Sequence, residues 1–130
     1  MSQHRKHRGY ASQRIVADYL QAHGWPFAES TGAGRQGTDV TGTVGIDWEV
    51  KARRGFPVTE AMNQAAERIK DGIIPVAVLR PDGFGPASIE NWPAIVPLKI
   101  MVELLRDAGY GDPRIEGEKD GQEKNKPSGL

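Results

Sequence analysis

The 130 residues suffice for one domain with one hydrophobic core, and seventeen basic against seventeen acidic side chains leave net charge silent about any polyanionic partner. The absence of cysteine excludes disulfides, thiolate metal sites and a cysteine nucleophile. No stretch reaches the roughly 18 apolar residues of a membrane span, and no apolar segment follows the basic N-terminus, so a soluble cytoplasmic protein without a secretory signal is expected.

Along the chain, residues 1–7 read as a flexible basic arm, in which Arg5 and Lys6 suit phosphate contacts and the flanking His4 and His7 are not read as metal ligands. A helix is expected over residues 8–23, with Ile15, Val16, Tyr19 and Leu20 at amphipathic spacing and Gly24 as its stop. Residues 25–30 read as a strand whose Pro26 marks an edge or a strand start. The glycine-rich loop over 31–37 lacks the Gly-Lys-Ser/Thr ending of a nucleotide-binding loop, so ATP is excluded. Its glycines serve either as a plain connection or as a place where a phosphodiester backbone comes close, with Ser30 and Arg35 on phosphates.

Two further strands are expected as a hairpin turning through 42–45, the second one ending in Glu49-Val50-Lys51. Thr59 caps a helix reaching about residue 71, with Met62, Ala65, Ala66 and Ile69 as its buried stripe. Residues 73–79 form an apolar run that suits a strand buried on both faces, and 81–86 is turn material. Trp25 and Trp92 are read as packing residues. A closing helix over 97–108 is expected to turn Ile100, Met101, Leu104 and Leu105 inward and to end at Gly109. Residues 8–110 thus make the folded domain, and 111–130 read as a disordered tail. The order is α-β-β-β-α-β and a last helix, an α/β fold.

The chemistry concentrates on the hairpin. Side chains alternate along a strand, so Glu49 and Lys51 project together while Trp48 and Val50 face the other way. The hairpin brings Asp39 back beside them. Two carboxylates and an ammonium then converge, and hard oxygen ligands of this kind suit magnesium and phosphate chemistry. Taken alone, Glu49 and Lys51 equally suit a surface ion pair between strand neighbours. Asp47 shares their face but is expected in solvent at the strand start. Lys51, Arg53 and Arg54 form a basic run leaving the site, and Arg53 falls on the Glu49 face. Gln64 lies off the apolar stripe of its helix, which suits either a solvated face or a group beside the site.

Several segments carry a resemblance: Arg8-Gly9-Tyr10-Ala11 and Val16-Ala17-Asp18-Tyr19-Leu20 in the first helix, His23-Gly24-Trp25 at its end, and Ser30-Thr31-Gly32-Ala33-Gly34-Arg35 leading into Gly37-Thr38-Asp39. With Glu49-Val50-Lys51 and the element order, the chain resembles the PD-(D/E)XK nuclease superfamily over roughly residues 8–79. Within it, the chain looks like the Holliday junction resolvases of the archaeal and phage type. The resemblance implies a restriction-endonuclease-like αβββαβ core, with a central mixed β-sheet flanked by helices. It implies a magnesium-dependent endonuclease cutting four-way DNA junctions, with manganese as a substitute metal; the alternatives are another nuclease of the superfamily, of repair or restriction-like type, and a non-catalytic DNA-binding module of the same fold. Asp39, Glu49 and the Val50 carbonyl would hold one or two metal ions, and Asp39, Glu49 and Lys51 would be catalytic. Arg5, Lys6, Arg8, Ser30, Arg35, Arg53, Arg54 and Gln64 would contact DNA. A homodimer without a nucleotide cofactor is implied, working in the host cytoplasm if phage-encoded. Two positions depart from the pattern. Ser12 stands where such resolvases carry a helix glutamate, leaving Glu29 or Gln13 as substitutes, and Thr38 replaces the superfamily's proline.

Overall fold

The computed structural model describes residues 3–32, 37–52, 58–66 and 72–112. The chain divides into two compact units, Met1–Val96 and Pro97–Leu130. The first unit is mixed α/β: α1 (Gln3–Ala22), β1 (Glu29–Ser30), β2 (Val40–Thr41), β3 (Ile46–Lys51), α2 (Val58–Ala66), β4 (Ile74–Leu79), a 3₁₀ helix over Pro86–Asn91, and β5 (Ala94–Ile95). The second contains α3 (Leu98–Asp107).

Helix α1 begins at Gln3, ahead of the expected residue 8. Its buried stripe is Ser12, Val16, Ala17 and Leu20, one face of a 3.6-residue period. Gly24, at φ 119°, ends it, and the Trp25 N–H reaches back 3.0 Å to the Leu20 carbonyl, closing the C-terminus in Schellman fashion. The chain then turns again, the Ala28 N–H bonding the Trp25 carbonyl at 2.9 Å. The strand expected over 25–30 is therefore cut to Glu29–Ser30, because this tight turn takes up its first half.

β1 and β2 pair antiparallel as a two-stranded sheet, while β3, β4 and β5 form a three-stranded one in that order. β3 runs parallel to β4, with Glu49 opposite Ala77 and Lys51 opposite Leu79, and β5 adds antiparallel on the far side. Neither the 3₁₀ helix nor β5 was expected from the sequence. Pro75 fits inside β4 because the N–H groups of this strand alternate: that of Ile74 goes to Gly45 in front of β3, and that of Leu79 to Pro93 in front of β5. The N–H missing at Pro75 falls on the β5 side, beyond the last paired residues.

The three-stranded sheet separates two apolar clusters. Trp48, Val50, Val76 and Val78 pack with Val16, Ala17 and Leu20 of α1 and with Ala28, Val40 and Trp92. On the opposite face Ala77 and Leu79 pack with Val58 and Met62 of α2 and with Ile95. β4 is thus covered on both sides, as its unbroken apolar run requires.

In the second unit, α3 ends at Gly109 as expected, where the Tyr110 N–H bonds the Leu105 carbonyl at 3.0 Å and the Gly109 N–H that of Arg106 at 2.9 Å. Its apolar side is not turned inward as expected: Leu98, Val102, Leu104 and Leu105 are exposed, and only Ile100 and Met101 are half-buried. Within its own unit this ten-residue helix has no second described element to pack against. Among the described residues no helix is long and apolar enough to cross a membrane. Ile69 of the expected α2 stripe, the basic residues Arg35, Arg53 and Arg54, and the tail beyond 112 lie outside the described residues.

Candidate active site

The site forms where the parallel strands β3 and β4 reach their carboxyl ends. The carbonyls of Gly45 and Lys51 accept from Ile74 and Arg80, so the main-chain groups of alternate residues Ile46, Trp48 and Val50 face the other way, toward the segment 38–43. That segment was expected to pair with β3 as a regular hairpin. Instead β2 pairs with β1, and side chains complete most of the β3 edge. The Asp39 N–H bonds the Trp48 carbonyl at 2.8 Å, while the Asp39 carbonyl is turned to the Thr31 N–H of the β1 side at 3.0 Å. Because Asp39 is shared in this way, Trp48 N–H goes to the Thr38 hydroxyl at 2.8 Å. The hydroxyl in turn donates to the Val40 carbonyl at 2.8 Å. The Thr43 hydroxyl, itself buried, closes the edge by accepting from Trp48 Nε1 at 2.9 Å.

One more contact along this edge seats the first carboxylate. Asp39 Oδ2 accepts the Val50 N–H at 2.8 Å. That N–H belongs to the peptide joining Glu49 to Val50, so the Asp39 carboxylate lies against the backbone of the Glu49-Val50-Lys51 segment. Thr38 has a definite part here: a proline at this position has no hydroxyl to bridge Trp48 and Val40.

Glu49 and Lys51 lie on the α2 face of β3, as their spacing predicts. Lys51 Nζ is 3.0 Å from Glu49 Oε2, and the two side chains are only 16% and 10% exposed. This is an ion pair, but not the solvent-washed kind that contributes little. Withdrawing each charge from water costs several kcal/mol, and only close partners offset it. A third charge takes part: Glu60, in the first turn of α2, brings its Oε2 to 3.8 Å from Lys51 Nζ. Sequence reasoning passed over Glu60. Its only signal was an acid in the first turn of a helix following the Glu-x-Lys strand.

On the α1 face the helix position expected to bear a carboxylate is Ser12, fully buried. Its Oγ accepts from Arg80 Nη1 at 3.0 Å. Arg80 also donates from Nε to the Phe84 carbonyl at 2.8 Å and lies over the Trp92 ring at 5.2 Å. A guanidinium therefore meets the position where the resemblance implies an acid. Of the substitutes named from the sequence, Glu29 is exposed on β1, and Gln13 presents a buried Oε1 with no hydrogen-bond partner. Asp47 is half-buried on β3, not in open solvent. Ser30 is half-buried on β1, Arg5, Lys6 and Arg8 lie on α1, and Gln64 lies on α2. The structure thus gathers Asp39, Glu49, Val50 and Lys51 at one strand end.

Among the described residues no group of three or more metal-ligating side chains converges. What the strand end offers a cation is two carboxylates and main-chain oxygen. No protein-family model matches this chain, and no curated protein or solved structure matches it significantly.

Proposed function

We propose that the protein is a magnesium-dependent, structure-selective DNA endonuclease with a restriction-endonuclease-like core, acting as a homodimer on four-way junctions. One observation carries the reading: the Asp39 carboxylate sits on the Val50 N–H, beside a Glu49–Lys51 pair that is nearly closed to solvent. Placement at the carboxyl ends of parallel strands supports it, since open α/β sheets bind ligands there.

The donor set fits magnesium. It consists of hard oxygens and few protein ligands, and magnesium keeps several of its waters. Asp39, Glu49 and the Val50 carbonyl, which strand alternation turns to the Asp39 edge, would hold it, with manganese as a substitute. Bound there, the metal would acidify a water and shield charge on the scissile phosphate. The Lys51 ammonium would orient the attacking water and offset charge building on the phosphoryl oxygens. Selectivity rests on backbone charge and junction shape: in residues 1–56 eight basic side chains (Arg5, Lys6, Arg8, Arg14, Arg35, Lys51, Arg53, Arg54) face five acids (Asp18, Glu29, Asp39, Asp47, Glu49). Two matched cuts need two sites related by a two-fold axis, which a homodimer supplies.

A second reading, a non-catalytic DNA-binding module of this fold, is favoured by the Ser12–Arg80 contact, which puts a cation where an acid is implied. Cleavage assays decide between them. Asp39→Ala and Glu49→Ala should each lower junction cleavage by about a thousandfold or more while junction binding persists. Full cleavage by either purified variant removes the site assignment. Tight, salt-sensitive binding by the wild type with no cleavage in magnesium or manganese selects the second reading.

A further inference from the structure

We infer that Glu60 is a positioning residue of the proposed site: it receives the Lys51 ammonium when Glu49 turns to the metal. The inference rests on the nuclease reading and extends it to a side chain which that reading leaves unused. Lys51 Nζ lies 3.0 Å from Glu49 Oε2 and 3.8 Å from Glu60 Oε2. Glu49 therefore commits an oxygen to an ammonium at the position where it is needed for a metal cation. With Glu49 and Lys51 side chains 10% and 16% exposed, little water screens the repulsion between two cations sharing that oxygen. Metal binding therefore weakens the hold of Glu49 on Lys51, and leaving an ammonium in this setting without a close carboxylate is costly.

Glu60 meets the need from the adjoining element. It stands in the first turn of α2, on the face of the sheet to which Lys51 points, and its side chain is 39% exposed. β4 presents only Ala77 and Leu79 on this face, opposite Glu49 and Lys51, so it supplies no charge there. Asp47 is on the same strand face but four residues from Lys51, toward the other end of β3. Glu60 thus lowers the cost of releasing Glu49, and through Lys51 it favours metal binding without touching the metal.

The test is magnesium affinity by titration calorimetry, on variants confirmed as folded by circular dichroism. Glu60→Gln should weaken binding about two- to fivefold where Lys51 is present. In a Lys51→Met background it should have no effect, since no ammonium then needs a new partner. Lys51→Gln serves for the same comparison if Lys51→Met does not fold, and Glu60→Asp should restore part of the loss. Equal weakening in both backgrounds makes Glu60 a ligand or a distant charge and overturns the inference. Wild-type affinity in Glu60→Gln overturns it too, with the nuclease reading intact. Absence of magnesium binding in the wild type, or binding indifferent to Asp39→Asn, overturns both.

Discussion

The two faces of the three-stranded sheet are built from the same strands yet hold different contents. Toward α1, Trp48, Val50, Val76 and Val78 join the larger apolar cluster, and the Arg80 guanidinium there is engaged by Ser12 Oγ, the Phe84 carbonyl and the Trp92 ring. Toward α2, Ala77 and Leu79 make a small apolar patch, and next to it β3 contributes Glu49 and Lys51. Because alternation assigns every second residue to each face, β3 can anchor the core with Trp48 and Val50 while holding a charged cluster still on the other side.

Three substitutions probe this contrast by equilibrium unfolding. The largest effect is expected on the charged face. Lys51→Ala removes the ammonium 3.0 Å from the buried Glu49 carboxylate, and should destabilise the protein by about 3 kcal/mol. A cost under about 1 kcal/mol would mean that the pair behaves as if in solvent, and the contrast between the faces would fail. Arg80→Ala on the apolar face removes the hydrogen bonds to Ser12 and to the Phe84 carbonyl together with the contact with Trp92, and should cost about 2 kcal/mol. The smallest effect belongs to the edge between the faces. Thr38→Val strands the Trp48 N–H and should cost about 1 kcal/mol, and it should also lower cleavage through the displaced Asp39. A stability loss with unchanged cleavage would separate Thr38 from the site.

What the sequence made legible follows from how local each feature is. The placement of Glu49 and Lys51 on one face, opposite Trp48 and Val50, depends only on the two-residue period of a strand, and it was readable. The buried character of β4 was readable from its apolar run, and so was the end of α1 at Gly24. The partial strand at 25–30 was not, because a helix-closing turn and a second turn compete for the same residues. Nor was the split between β1–β2 and β3–β4–β5, which depends on Asp39 dividing its own N–H and carbonyl between two neighbours. Contacts across the fold lie further still from local pattern: Ser12 meets Arg80 across 68 positions, and Glu60 meets Lys51 only because α2 packs over that face of β3 and β4.

The most direct measurement of the central claim is cleavage of a substrate panel in magnesium, comparing a four-way junction with linear duplex, flap and single-stranded DNA, with Asp39→Ala as control. Paired, symmetric nicks confined to the junction and absent from the control are expected. Equal cutting of linear duplex would contradict junction selectivity, and cutting that survives in Asp39→Ala would contradict the site itself.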